Sequence, residues 1–157
     1  MLYVDTDTSV LPGSGKTTIA NVVARQTRHR FRTMSAVTAG IAEVADAEFR
    51  GETDYAHFGS ALAGLGELDS EGAYGIAIGA PDAANGAVYV FTGPFEGSLE
   101  QSMAVGVLSG SAVGDGFGAT LMGGVDYDED GQSDLFVGAP GVDASKGRVY
   151  VLLGGAL

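Results

Sequence analysis

From residue 45 onward, short apolar runs alternate with turns rich in Gly, Asp and Asn. The runs are SALAGL (60–65), GIAIGA (75–80), AVYVF (87–91), MAVGVL (103–108), ATLMGG (119–124), LFVGA (135–139) and RVYVLL (148–153). Each has the length of a strand, and many contain Val, Ile, Tyr or Phe, which suit a pleated chain. Several are apolar throughout, as strands covered on both faces are. Phe58 and Phe117 each precede a glycine and are expected to pack where two sheets come close. Before residue 45 the pattern changes. KTTIANVVARQT has helical spacing and predicts a helix over 16–26. RFRTMSAV reads as a following strand and TAGIAEVADAEF as the start of another helix.

The strand-rich part repeats itself. Phe58-Gly59 recurs as Phe117-Gly118, Gly79-Ala80-Pro81 as Gly138-Ala139-Pro140 and Gly51 as Gly110, all offset by 59. Gly86–Val90 recurs as Gly147–Val151 with an offset of 61, so the two extra residues fall in the loop after the second Gly-Ala-Pro, around GVDASK.

Between the fifth and sixth runs lies DYDEDGQSD, Asp126–Asp134, with five carboxylates in nine residues. Like charges this close repel one another, and a hard divalent cation removes the conflict. Calcium takes about six to eight oxygens, and an alternating D-x-D-x-D run aims several at one centre while a glycine makes the turn. The candidate ligands are Asp126, Asp128, Asp130 and Asp134, with the backbone carbonyl of Gln132. The loop is not an EF-hand, because Val137 stands where the bidentate glutamate belongs and the flanks read as strands. A solvated acidic turn is the other reading of the same residues. The earlier repeat carries a weaker copy: Glu67, Asp69 and Glu71 fall opposite Asp126, Asp128 and Asp130, and Gly75 opposite Asp134. Weak or no calcium binding is expected there.

Charge sharpens the division of the chain. Residues 1–44 carry five basic and three acidic side chains (+2), and residues 45–157 carry three basic and seventeen acidic (−14). So acidic a region repels phosphate and is a poor nucleic-acid binder; it suits cations. There is no cysteine, hence no disulfide or thiolate metal site. The 26 glycines agree with many tight turns. No apolar run approaches a membrane span, and MLYVDTDTSV lacks the basic start and apolar stretch of a signal peptide. His29 and His57 have no visible partners in the sequence.

In the first region, LPGSGKTT (11–18) carries the second half of a P-loop, in which backbone amides cradle phosphates at a helix N-terminus. Gly13, Gly15, Lys16 and Thr17 would hold the nucleotide, with Thr17 on magnesium. Val10 stands where the full pattern has its first glycine. PGSGKTTIANVVARQT and FRTMSAVTAGIAEV resemble the start of AAA+ ATPases, closest to replication-associated recombination ATPases. The resemblance implies ATP and magnesium, but no acidic Walker B run follows it. Nothing in the chain then places the second magnesium ligand or activates water, and no enzymatic activity is expected.

The second region, FGSALAGLGELDSEGAYGIAIGAPDAANGAVYVF (58–91) and FGATLMGGVDYDEDGQSDLFVGAPGVDASKGRVYVL (117–152), resembles the FG-GAP repeat of integrin alpha β-propellers and of many secreted or surface proteins of bacteria. The resemblance implies one four-stranded antiparallel blade per repeat, about 45–103 and 104–157, with calcium in a hairpin loop. It implies an extracellular or cell-surface location. The fold expected is mainly β: two propeller-type blades of an incomplete ring behind an α-helical P-loop-like segment at 1–44. SMAVGVL is the outer strand of the first blade. ADAEF (45–49) is the trailing strand of an absent blade, or a partner for the incomplete second one. Two blades do not close a ring, and open edges invite pairing. The expected partners are a protein, further blades or a second copy. The function expected is a calcium-braced, non-enzymatic interaction module. Its rivals are an ATP-binding protein and a self-associating β module or chimera without native function.

Overall fold

The computed structural model describes residues 45–68 and 72–154. The P-loop-like Gly13, Gly15, Lys16 and Thr17, the helix expected at 16–26, and His29 lie outside these residues, as do Asp69 and Glu71 of the first acidic loop.

The apolar runs form strands where the pattern places them. The first blade is a four-stranded antiparallel sheet of β2 (Ala61–Glu67), β3 (Tyr74–Ala80), β4 (Ala87–Thr92) and β6 (Gly106–Ser109), in that spatial order. The second holds three antiparallel strands, β7 (Thr120–Val125), β8 (Asp134–Ala139) and β9 (Arg148–Leu152). The fourth strand of the first blade begins later than the MAVGVL run, because Gln101–Met103 winds into a 3₁₀ turn first.

One expectation is corrected. The last residues of TAGIAEVADAEF are not helical: they form strand β1 (Ala47–Arg50), as the trailing-strand reading of ADAEF expects, and β1 pairs in parallel with β5 (Gly97–Glu100) and not with the second blade. Tertiary contact decides it. The Phe49 ring meets Phe91 at 5.0 Å and Phe95 at 5.3 Å, both edge-on, and such aromatic contacts outweigh a weak local helix preference.

The main core lies between the blades. Ala63, Leu65, Ala77, Val88 and Val90 of the first meet Phe117, Leu135, Val137 and Ala139 of the second, and all are buried. In β2 the alternation is plain: Ala63 and Leu65 face this core while Leu62 and Gly64 face outward. The two sheets approach to backbone contact. A Cβ at Gly123 would press on the Gly64 carbonyl and on Leu65, and one at Gly79 would collide with the Gly118 carbonyl.

The repeated dipeptides have a physical task. Gly59 N–H donates to the Gly79 carbonyl at 2.9 Å, and its counterpart Gly118 donates to Gly138 at 3.1 Å. Each Phe-Gly therefore latches onto the Gly-Ala-Pro of its own blade. Gly118 sits at φ 88°, a conformation that suits a residue without Cβ. Phe117 is buried and meets Tyr150 at 5.5 Å, while Phe58 is half-buried against Tyr89 at 5.6 Å. Both are packing residues, as expected.

A candidate metal-binding loop

The β7–β8 hairpin is built to turn an acidic loop outward. A bulge between Met122 and Val125 re-aims the end of β7, and such bulges increase local twist and redirect side chains. The first hairpin has a matching irregularity between Gly64 and Gly66. Beyond β7 the chain reverses through Glu129 at φ 62° and Gly131 at φ 91°. Both are left-handed, which glycine accepts freely and glutamate does not.

Side chains of the loop hold its own backbone. Asp126 accepts hydrogen bonds from the Asp130 N–H at 3.1 Å and the Gly131 N–H at 2.9 Å. Asp130 accepts one from the Gln132 N–H at 2.8 Å. These bonds fold the loop so that Asp126, Asp128 and Asp130 each present a carboxylate oxygen within 4.8 Å of the others. All three side chains are exposed. Among the described residues Asp128 has no hydrogen-bond or ion-pair partner, and no Lys, Arg or His pairs with the trio.

Asp134 sits elsewhere. It is fully buried, and each of its oxygens takes a backbone N–H: Tyr127 at 2.6 Å and Gly154 at 2.8 Å. One carboxylate thus ties the start of the loop to the chain leaving β9. Spacing put Asp134 in one register with the other acids; it could not distinguish an oxygen aimed at an ion from one aimed at two amides.

Of the first acidic loop, Glu67 ends β2 and accepts a hydrogen bond from the Tyr74 hydroxyl at 3.1 Å. This bond and the nearby negative charge hold the Tyr74 hydroxyl above its usual pKa. The hairpin closes with Leu68 N–H on the Ala73 carbonyl at 2.8 Å.

His57 does have a partner, contrary to the sequence reading. Its Nδ1 lies 2.6 Å from an Asp82 carboxylate oxygen, on the surface. The pair spans two loops and left no local signal.

The donors of the trio are hard carboxylate oxygens with no nitrogen or sulfur among them. That set suits a hard divalent cation.

Comparison with known proteins agrees with the blades. Residues 117–152 match the family model of the FG-GAP repeat, and the chain carries that repeat. It is 42% identical over 100 residues to integrin alpha-5 of Xenopus laevis, covering 60% of this chain and 10% of that protein. It is 43% identical over 99 residues to integrin alpha-IIb of Mus musculus, covering 61% and 9%. With integrin alpha-V of Gallus gallus the identity is 36% over 104 residues, covering 63% and 10%. The chain spans about a tenth of the length of these curated relatives.

Proposed function

We propose, for a chain that carries an FG-GAP repeat and resembles a stretch of integrin alpha subunits, that it is a non-enzymatic β-propeller-type adhesion or interaction module braced by calcium. The observation that carries the reading is the convergence of Asp126, Asp128 and Asp130 within 4.8 Å on an exposed hairpin loop. In this reading the three carboxylates hold the ion. The Gln132 carbonyl is the next donor in the register, and Asp134, expected among the ligands from its spacing, anchors the loop from beneath through two backbone amides. The ion would supply a charge that cancels the repulsion within the loop and would fix the register of β7 on β8.

The brace has a size. At millimolar extracellular calcium and a dissociation constant of ~0.1–1 mM, bound calcium adds roughly 0.5–2 kcal/mol. A domain with a total stability of about 5–15 kcal/mol registers that. The integrin resemblance supports a protein partner at a cell surface. The test is thermal melting in calcium and in chelator, together with calcium titration by calorimetry. A melting point that ignores calcium, or a calcium response that survives Asp128→Ala, overturns the brace.

A further inference from the structure

Among the described residues the first blade has four strands, the second has three, and β1 belongs to neither. Counting back by the repeat offset of 59, β6 (Gly106–Ser109) falls on β1 (Ala47–Arg50). Both strands alternate half-buried and exposed residues in the same order. So β1 corresponds to the fourth strand of a blade whose first three strands are not among the described residues. The second blade has β7, β8 and β9 and no fourth strand among the described residues.

Strand β1 already stands where a neighbouring blade would put it. Leu108 of β6 packs into the core between the blades, beside Phe117 and Tyr150. Its counterpart Phe49 packs against Phe91 and Phe95, on the back of the first blade.

The backbone edges match. Gly97 N–H donates to the Asp46 carbonyl at 3.0 Å, with Ala47 in register with Gly97. Backbone groups alternate sides along a strand, so residues 46, 48 and 50 address β5. Ala47 and Phe49 turn theirs to the other edge. In β6 the corresponding residues, Gly106 and Leu108, are those that face β4: Gly110 N–H donates to Gly86 at 2.9 Å, and Leu108 pairs with Val88. The edge that β1 leaves open among the described residues is therefore the edge that takes a strand of the β4 type. In the second blade that strand is β9, which among the described residues is bonded to β8 alone.

The faces match as well. Val88, Val90 and Ala63 are 0%, 6% and 8% exposed under the second blade. Their counterparts Val149, Val151 and Met122 are 67%, 47% and 50% exposed. On the back of the first blade Leu62 is 66% exposed, although its counterpart Leu121 is packed between the blades.

We propose that the chain associates head to tail with further copies of itself, the free edge of β9 in one copy pairing antiparallel with β1 of the next, Val149 opposite Phe49 and Val151 opposite Ala47. The charges leave one conflict in the pairing, and it is offset locally. Arg50 is held by Glu48 at 2.8 Å and Arg148 by Asp143 at 2.7 Å. Although the two arginines would stand opposite, each brings its own carboxylate, and Glu48 falls diagonal to Arg148, within reach across strands. A head-to-tail contact makes a ring when its rotation closes. Propellers have about four to eight blades, so two, three or four copies of a two-blade chain complete one.

The inference rests on the blade reading and not on the calcium brace. The test is solution mass by sedimentation or light scattering, in calcium and in chelator, on the whole chain. The expected result is a concentration-dependent multiple of 15.8 kDa. Val149→Lys buries an unpaired charge at the joint and should weaken association by more than about tenfold, with an unchanged melting curve at low concentration. The chain has no cysteine, so Ala47→Cys and Val151→Cys can be made as separate variants and mixed. Opposed residues in such a pair lie about 5.5 Å apart at Cα, inside disulfide range. Oxidation should link the mixture into a heterodimer and link neither variant alone. A monomer at every concentration overturns the inference. So does an oligomer that ignores Val149→Lys and gives no mixed cross-link. If calcium-dependent melting survives while the mass stays monomeric, this inference alone falls.

Discussion

At the scale of single residues, the two kinds of aspartate in the acidic loop have opposite tasks. Asp128 is exposed and unpaired among the described residues, and its burden is electrostatic. Asp128→Asn should leave stability in chelator within about 0.5 kcal/mol of the parent, as surface changes do, and abolish the gain on adding calcium. Urea unfolding in both conditions reads this directly. Asp134 is buried under two charge-assisted hydrogen bonds. Asp134→Ala strands two backbone N–H groups, each worth about 1–3 kcal/mol when left unsatisfied in a buried site. The loss should therefore appear in chelator, where no ion can contribute. If Asp134→Ala cost stability only in calcium, its anchoring role would be wrong.

At the scale of elements, the hairpins and their glycines hold the blades together. Gly123 faces the Gly64 carbonyl across the joint between β7 and β2, with no room for a methyl group. Gly123→Ala should destabilise by roughly 1–3 kcal/mol through overpacking. Gly131→Ala meets open space and pays only for its φ of 91°, about 1–2 kcal/mol. The two costs should separate by calcium response. The Gly123 change loosens the core and leaves the loop's affinity near the parent's, whereas the Gly131 change distorts the turn and weakens calcium binding; calorimetric titration of both variants checks this. Phe117 fills the joint between the blades, so Phe117→Ala should cost about 3–5 kcal/mol, seen as a lower urea midpoint. Strand positions were legible because apolar runs and turn residues are local signals. The parallel pairing of β1 with β5 was not, since no period or turn connects strands so far apart in sequence; ring contacts at Phe49 decide it.

At the scale of the whole molecule, calcium should act as a ligand of the folded state. At tenfold over its dissociation constant the stabilisation is about 1.4 kcal/mol, and for a domain of this size that is a shift of roughly 4–6 °C in melting point. A calorimetric melt in calcium and in chelator measures it. The effect belongs to the whole fold because β8 runs from the loop through the core, with Leu135 and Val137 fully buried. A brace on one hairpin therefore stabilises the joint between blades.

The sequence by itself determined the repeat, the strands and the crowding of carboxylates in Asp126–Asp134. These follow from composition and spacing, which survive in a linear chain. The tertiary structure alone decided which acids converge and which one is buried, since Asp126, Asp128, Asp130 and Asp134 share one alternation and differ only in what surrounds them. It also decided the place of Ala47–Arg50 and the pairing of His57 with Asp82. Each depends on groups distant in sequence, and distance along the chain carries no record of proximity in space.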